Sequence, residues 1–276
     1  MEKVDQTARD LLELIKGLNI DYAFERSFKV AQKTLLPNRL LFGIYTNRIK
    51  ENQQKKLLDI CQQINMPEDF FEVFETKWHE SNAIGWAFEK IEDAIVYKVY
   101  LEFWDKWKRD VKDTPKGCDP FVVLLGFKWV ASNRAKRSLA KYTLHPLLTY
   151  EGMLERLSVT YENDRHRVLF EIVKDFLRFA SNKVTHDEIR YLEVTEENTP
   201  RKSFDINVYN AKLQLKKVYP LLQKIYQHYS IPDRDFHDLY NQFRTKIIGH
   251  LSGGVGRDGK DFLTVYYGLE DVVESK

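Results

Sequence analysis

Residues 97–103 have the sequence YKVYLEF, in which two kinds of side chain alternate. Successive side chains of a β-strand point to opposite faces of a sheet. One face of this predicted strand carries the apolar set Tyr97, Val99, Leu101 and Phe103. The other face carries the polar set Lys98, Tyr100 and Glu102. A strand with one apolar and one polar face fits a sheet that packs under helices on one side only.

Other strand-like segments show the same sidedness. The clearest are RLLFGIYT (39–46), FVVLLGFKWV (121–130) and SFDINVY (203–209). Their second faces combine polar or phenolic groups with glycine and a few aliphatic residues, and include Gly43, Tyr45, Gly126, Lys128, Asp205, Asn207 and Tyr209. The near-continuous apolar run at 121–130 also predicts a strand that is buried on both faces.

The order of the predicted elements gives the fold class. We predict ten strands, at 22–30, 39–46, 83–89, 94–103, 121–130, 138–145, 188–195, 203–209, 247–252 and 261–267. Pairs of helices separate most of them, at 5–16, 52–64, from Pro67 onward, 149–158, 164–180, 211–229 and 233–245. Strands in adjacent pairs form antiparallel hairpins. The chain is therefore expected to be one α+β domain over 1–276, built from repeated ααββ units.

Two features of the polar face favour a closed barrel over an open, wetted sheet. The face is rich in tyrosine, and Gly43 and Gly126 leave room beside it. A barrel of about ten strands with helices outside has an interior wide enough for a ligand. One segment interrupts the alternation of helix pairs and strand pairs. Residues 105–120 are charged and contain Pro115, Gly117 and Pro120, which predicts a surface connection in place of a helix pair.

Composition excludes several classes of protein. The net charge is only +2, so nucleic acid is not an expected partner. There are two cysteines, Cys61 and Cys118, at no zinc-like spacing. No apolar run approaches the length of a membrane span, and the first residues lack a signal peptide. We therefore expect a cytosolic protein.

Common catalytic motifs do not occur in the sequence. The chain has no Gly-x-Ser-x-Gly elbow, no Rossmann glycine pattern and no paired histidines at i, i+4. The glycine-rich segment GHLSGGVGRDGKDF (249–262) is not a P-loop, because Lys260 is followed by Asp261. Its glycines indicate tight turns, although a mouth loop bringing His250, Ser252 and Arg257 to a ligand is a second interpretation.

The order of strands and helices resembles that of the aromatic prenyltransferase barrel. The segment YKVYLEF (97–103) resembles the lysine-x-tyrosine strands of that family, and GFKWV (126–130) and DFLTVYY (261–267) are similar in style. In that fold repeated ααββ units enclose a solvent-filled tunnel. The resemblance covers about 20–268 in element order. It implies attack of an electron-rich aromatic compound on an allylic diphosphate inside the barrel. The sequence has no Asp-Asp-x-x-Asp motif, so no metal ligand is assigned and a requirement for Mg²⁺ is left open.

The resemblance also implies roles for particular side chains. Lys98 and Lys128 would contact the diphosphate, and Tyr100, Tyr209 and Tyr266 would shield the allyl cation. Glu102 or Glu89 would accept the proton, helped by a pKa that burial raises. Tyr45 and Asn207, on the same polar face, complete the predicted substrate-binding set.

Three functions remain open at this point. The first is an aromatic prenyltransferase-like enzyme. The second is an enzyme that uses the same barrel for another step on an aromatic natural-product intermediate, such as cyclisation. The third is a non-catalytic binding or assembly protein. The expected partners under the first are a small aromatic compound and a prenyl diphosphate.

Overall fold

The computed structural model describes residues 6–91, 94–113, 119–146, 148–197 and 199–273. Residues 92 and 93, between the third and fourth predicted strands, lie outside the described residues, as do Pro115, Gly117 and Cys118. Cys61 is buried.

The described residues form ten strands in one closed antiparallel barrel. The strands are β1 (Tyr22–Ala31), β2 (Thr34–Tyr45), β3 (Ala83–Ile91), β4 (Ala94–Glu102), β5 (Phe121–Val130), β6 (Asn133–Leu144), β7 (Arg190–Glu196), β8 (Lys202–Asn207), β9 (Ile248–Val255) and β10 (Asp261–Val272). Each strand pairs with its neighbour in sequence, and β1 also pairs with β10 from Tyr22↔Val272 to Val30↔Leu263. The predicted barrel is confirmed, and the open-sheet alternative is excluded.

Helices cover the outside of the barrel. They are α1 (Gln6–Lys16), α2 (Glu51–Gln63), α3 (Glu68–Lys77), α4 (Trp104–Asp113), α5 (Tyr150–Thr160), α6 (Arg167–Ser181), α7 (Tyr219–His228) and α8 (Asp233–Phe243). Helix pairs lie between β2 and β3, between β6 and β7 and between β8 and β9, so the ααββ repeat is confirmed. In the described part of the chain, no helix combines the length and apolar character needed to cross a membrane.

The outward faces of the strands form the hydrophobic core. Val99 and Leu101 of β4 have no exposed surface and join a core cluster with α1, α2 and α3. A second cluster packs β7–β10 against α5–α8 and contains Tyr191 and Phe204. The predicted sidedness is confirmed. Burial of β5 on both faces is wrong at Val122, which is 36% exposed.

The segment predicted as a surface connection contains a helix. In α4, Trp104 and Trp107 pack against a small cluster formed by Val123, Leu144 and Leu192. The charged residues of α4 occupy its remaining surface, so the composition resembled a loop although one face is strongly apolar. The prediction of a connection over 105–120 was therefore wrong for the residues before 114.

The predicted helix 211–229 begins later than expected. A short turn over Tyr209–Ala211 is followed by Lys212 with φ of 48°, and Gln214 pairs with Ile247. The helix α7 starts only at Tyr219, with Pro220 in its first turn, where the missing N–H costs little. Strand β8 also ends at Asn207, two residues before the predicted end.

The two ends of the barrel differ, and this difference positions the site. The five hairpins, from Ala31/Thr34 through Val255/Asp261, lie at one end, which we call the hairpin end. The helical connections lie at the other end, which we call the helix end.

Candidate functional site

A cavity of about 360 Å³ lies inside the barrel toward the hairpin end. This volume falls in the lower part of the range of small-molecule sites, roughly 300–1,000 Å³. Its wall contains seven basic side chains: Lys29, Arg39, Lys98, Lys128, Arg201, Arg257 and Lys260. It also contains Tyr100, Tyr142 and Tyr266, and the carboxylates of Glu196, Asp258 and Asp261. Basic groups therefore outnumber acidic groups around the cavity.

Glu89 lies at the centre of the basic groups. Its fully buried carboxylate forms ion pairs from Oε2 to Lys98 Nζ at 3.0 Å and to Arg39 Nη2 at 3.2 Å, and from Oε1 to Lys128 Nζ at 3.0 Å. Burial alone would raise the pKa of Glu89, but these cations and Lys29 hold it well below its usual range. The expectation of a raised pKa at Glu89 is wrong, because a carboxylate held by several cations stays ionised.

The positive charge is not fully balanced by Glu89. Burial lowers the pKa of Lys29 to about 8, against the attraction of Glu89. Burial also lowers the pKa of Lys98, as do the nearby Arg39 and Lys128, although Glu89 opposes them. The Nε of Arg39 is buried and has no hydrogen-bond partner. A buried donor without a partner is costly.

Two arginines at the hairpin end share a second carboxylate. Glu196, at the end of β7, pairs with Arg201 and with Arg257, whose Nη2 lies 2.6 Å from Oε2. Arg201 approaches from the β7–β8 connection, and Arg257 from the glycine-rich β9–β10 connection. The glycine-rich segment thus does bring Arg257 to the cavity wall, as the second sequence interpretation held.

Three tyrosine rings face the basic groups from the helix-end side of the cavity. Tyr100 and Tyr142 meet edge to face with ring centroids 6.2 Å apart. The guanidinium of Arg39 lies 6.0 Å from the ring centroid of Tyr266. Burial raises the pKa of all three phenols, so they stay protonated and neutral.

A cluster of side chains that we call the acidic group lies farther toward the helix end and contains Glu25, Asp205, Tyr209 and His250. His250 Nδ1 is 2.8 Å from Asp205 Oδ1, and the Tyr209 hydroxyl donates to Glu25. Burial raises the pKa of Glu25 to about 7, although His250 and Tyr209 oppose the increase. Burial would lower the pKa of His250, but Asp205 and Glu25 outweigh it and raise that pKa to about 9. A carboxyl group with this pKa can gain or lose a proton near neutral pH.

Glu102 lies beside this acidic group and is bound to α4. The indole N–H of Trp104 donates to its Oε2 at 2.9 Å, and Arg190 lies over the Trp104 ring at 4.7 Å. Burial raises the pKa of Glu102, against the hydrogen bond from Trp104. The expected raised pKa is confirmed for this residue. Its side chain does not line the cavity.

The structure brings four of the predicted site residues to the cavity and leaves the others away from it. Lys98, Lys128, Tyr100 and Tyr266 line it. Tyr209 and Asn207 lie in the acidic group, where Asn207 Nδ2 is 3.3 Å from His250 Nε2. Tyr209 follows the end of β8, so its predicted place on the face of a strand is wrong.

Tyr45 lies apart from the cavity. It is the last residue of β2, its side chain is 52% exposed, and Arg48 lies over its ring at 5.5 Å. Its position at the end of the strand, not the face it occupies, takes it out of the enclosed interior. The expectation that Tyr45 lies with the other interior groups is wrong.

Sequence reasoning missed several residues at the cavity and in the acidic group: Glu25, Lys29, Arg39, Tyr142 and Arg201. The alternation would have found two of them. Lys29 shares a face with Ser27 in the predicted strand 22–30, and Arg39 shares one with Leu41 in RLLFGIYT. Among the described residues, no group of three or more histidine, cysteine, aspartate or glutamate side chains could hold a metal ion.

The chain is similar to known proteins in its fold and not in its sequence. The sequence matches no protein-family model and no curated protein. Solved aromatic prenyltransferases do match in structure. AnaPT from Neosartorya fischeri is 12% identical, with 92% of this chain and 80% of that chain covered at a TM-score of 0.56. A ternary complex of PriB with L-tryptophan and dimethylallyl thiolodiphosphate is 12% identical, with 89% and 79% covered at 0.59.

A third structure, a 6-dimethylallyl tryptophan synthase, is 13% identical, with 89% of this chain and 80% of that chain covered at a TM-score of 0.56. The chain therefore has the fold of the aromatic prenyltransferases, the prenyltransferase barrel. The resemblance drawn from the sequence is confirmed at the level of fold. Because one fold can host many activities, the function has to be argued from the site itself.

Proposed function

We propose that the protein is an aromatic prenyltransferase, which moves an allylic group from a prenyl diphosphate to an electron-rich aromatic compound. The observation that carries this proposal is the composition of the cavity wall. An excess of basic groups faces three neutral tyrosine rings across a cavity of about 360 Å³. Such a site suits a ligand with an anionic head and a reactive hydrocarbon tail.

The basic groups would bind the diphosphate. Lys98, Lys128 and Arg39 converge on one region of the wall, and Lys29 lies near them. Charge-assisted hydrogen bonds to phosphate oxygens are short and strong in a water-poor interior. As the allylic C–O bond breaks, the diphosphate keeps the bonding electron pair, so these cations stabilise the charge that develops on the leaving group.

The tyrosine rings would protect the allyl cation that remains. The face of an aromatic ring attracts a cation, and the effect is largest away from water. Tyr100, Tyr142 and Tyr266 stay neutral in this site, so they do not act as competing phenolate nucleophiles. The new bond forms between the allylic carbon and the aromatic ring of the acceptor.

A carboxylate would then take the proton that the acceptor loses. We assign this role first to Glu25, whose pKa of about 7 suits proton transfer near neutral pH. Tyr266 lies opposite His250 in the barrel, with ring centroids 5.5 Å apart, and so connects the cavity to the acidic group that contains Glu25. Glu102, with its raised pKa, is the second candidate, whereas the ion pairs of Glu89 make it a poor base.

The volume of the cavity and its charge suggest further limits. A space of about 360 Å³ for both reactants favours a dimethylallyl donor and an acceptor with one small ring system. The lysine and arginine side chains supply the positive charge that Mg²⁺ would otherwise supply to the bound diphosphate. We therefore expect turnover to persist in EDTA.

Incubation with prenyl diphosphates tests the proposal. The purified protein is mixed with dimethylallyl or geranyl diphosphate and with indole or phenol acceptors, with and without EDTA. Release of diphosphate together with a prenylated product in the mass spectrum supports the proposal. Thermal stabilisation by an aromatic compound, with none by any diphosphate, would instead favour another reaction on an aromatic intermediate. No effect of any ligand, with a stable complex on pull-down, would favour an assembly protein.

A further inference from the structure

The arrangement of charges on four neighbouring strands raises a question that the proposed function does not answer. Lys98 on β4 and Lys128 on β5 are directly opposite each other in the barrel. Like charges in this position repel and destabilise a strand pair. Both side chains nevertheless point into the interior, so something must hold them together before any ligand arrives.

Glu89 on β3 is the group that does so. Each of its two carboxylate oxygens forms ion pairs: Oε1 with Lys128, and Oε2 with Lys98 and Arg39. The carboxylate has no exposed surface, whereas 36% of the Lys128 side chain is exposed. The ion pairs therefore lie behind the cavity, and the outer sides of the cations are left toward its open space.

The charge left over fits a highly charged anion. Seven basic side chains line the cavity, and four carboxylates, Glu89 included, lie among them, which leaves a formal excess of three positive charges when every lysine is protonated. A single phosphate group carries about −1.5 to −2 at pH 7, so it balances only part of this excess. The Nε of buried Arg39 has no hydrogen-bond partner, and Glu89 Oε1 has an ion pair with Lys128 but no hydrogen bond, so the cluster has unused hydrogen-bonding groups.

We propose that Glu89 is a positioning residue, which holds the side chains of Arg39, Lys98 and Lys128 together in the empty barrel and so prepares the site for a diphosphate. The proposal rests on the proposed function, because it concerns the same anion site. Without Glu89, whose charge favours the protonated form of Lys98, Lys98 loses its proton more readily and the repulsion between it and Lys128 is relieved. Binding of a diphosphate then requires that this proton be taken up again from solution.

The expected signature is a change in how anion binding depends on pH. The charged or titratable groups that surround the carboxylate from the other strands are Lys29 on β1, Arg39 on β2, Lys98 and Tyr100 on β4, and Lys128 on β5. Burial lowers the pKa of Lys29 and of Lys98, so these two lysines are the members that exchange a proton most readily. A purely structural role for Glu89 would weaken binding equally at every pH.

Titration calorimetry with inorganic pyrophosphate tests the proposal. Glu89→Gln keeps the shape of the side chain and removes its charge. We expect pyrophosphate binding by this variant to be about tenfold weaker than wild type near pH 7.5 and to approach wild type near pH 6.5. The reason is that one added proton per bound anion gives a tenfold change in affinity per pH unit. The matched control is Glu193→Gln, which removes a carboxylate paired with His145 and Arg156 on the outside of the barrel.

Two further variants separate charge from packing. Glu89→Asp restores the charge and should recover most of the pH profile. Glu89→Ala leaves a space beside the cations, which added acetate should fill and thereby restore pyrophosphate binding. A Glu89→Gln profile parallel to that of wild type, or Glu89→Ala that acetate does not restore, would overturn the proposal. Wild-type protein that fails to bind pyrophosphate would count against the proposed function instead.

Discussion

The ring of Tyr100 lies directly across from Gly126 on the neighbouring strand and takes the space that a side chain at position 126 would need. A Cβ atom at Gly126 would lie 3.0 Å from Tyr100 Cε1 and 3.2 Å from Tyr142 Cε2. Both contacts are shorter than ordinary van der Waals distances. Gly126 therefore sets where two of the three cavity tyrosines lie.

Gly126→Ala should disturb these rings. We expect a loss of about 1–3 kcal/mol in the free energy of unfolding, as for other overpacked interiors, and slower prenyl transfer. Gly43→Ala is the matched control, since a Cβ there would meet only Ile84 O at 3.8 Å. Urea unfolding and steady-state turnover of both variants provide the measurement. Equal behaviour of the two variants would show that the packing of Tyr100 is not constrained by Gly126.

Tyr100 itself should act through its ring and not through its hydroxyl. Tyr100→Leu is expected to lower kcat by about 30-fold, the equivalent of about 2 kcal/mol for a desolvated cation–π contact. Tyr100→Phe keeps the ring and should stay close to wild type. Tyr97→Leu, on the outer face of the same strand, controls for lost aromatic packing. A large loss in Tyr100→Phe, or none in Tyr100→Leu, would rule out a cation-shielding ring at this position.

Binding of a diphosphate should weaken as the pH rises above about 8. Burial lowers the pKa of Lys29 to about 8 in the empty site, and a bound anion would raise it again. Binding then takes up a proton above this pH, and affinity falls by up to tenfold per pH unit for each coupled proton. Calorimetric titration of pyrophosphate from pH 7 to 9.5 measures the slope. Lys29→Arg, whose guanidinium does not titrate there, should flatten the profile, and an unchanged steep slope would remove Lys29 from the explanation.

His250 should make stability depend on pH in a definite direction. Its pKa is raised from 6.5 to about 9 in the folded chain. The stabilisation is therefore complete below pH 6.5 and is lost as the pH rises through 9, by an amount on the order of 3 kcal/mol. We expect wild type to lose more stability than His250→Gln between pH 6 and 9 in urea unfolding. The exposed His186→Gln should follow wild type, and equal losses in all three proteins would contradict the Asp205–His250 pair.

The sequence was sufficient for the class of fold because its signals are local. The alternation in YKVYLEF depends only on neighbouring residues, and it correctly placed Lys98 and Tyr100 inside and Val99 and Leu101 outside. The helix α4 was missed because its apolar face consists of few residues, chiefly Trp104, within a charged segment.

The site was harder to predict because it depends on contacts between side chains on different strands. The ion pairs of Glu89 require the register of four strands, which alternation within one strand does not determine. Strand β1 contains register shifts near Phe24 and Ser27, so which residues of β2 and β10 lie beside Glu25 and Lys29 does not follow from alternation. Tyr209 was misplaced because its chain segment leaves the sheet after Asn207.

Titration of wild type and Lys98→Ala with dimethylallyl thiolodiphosphate, an unreactive donor analogue, tests the central claim most directly. We expect wild type to bind the analogue at one site. The affinity of Lys98→Ala for the analogue should be about 30-fold lower, which is within the range for a lost charged hydrogen bond. Lys141→Ala, which removes an ion pair with Glu197 outside the cavity, should bind like wild type. Absence of binding to wild type, or equal affinity of wild type and Lys98→Ala, would contradict the account.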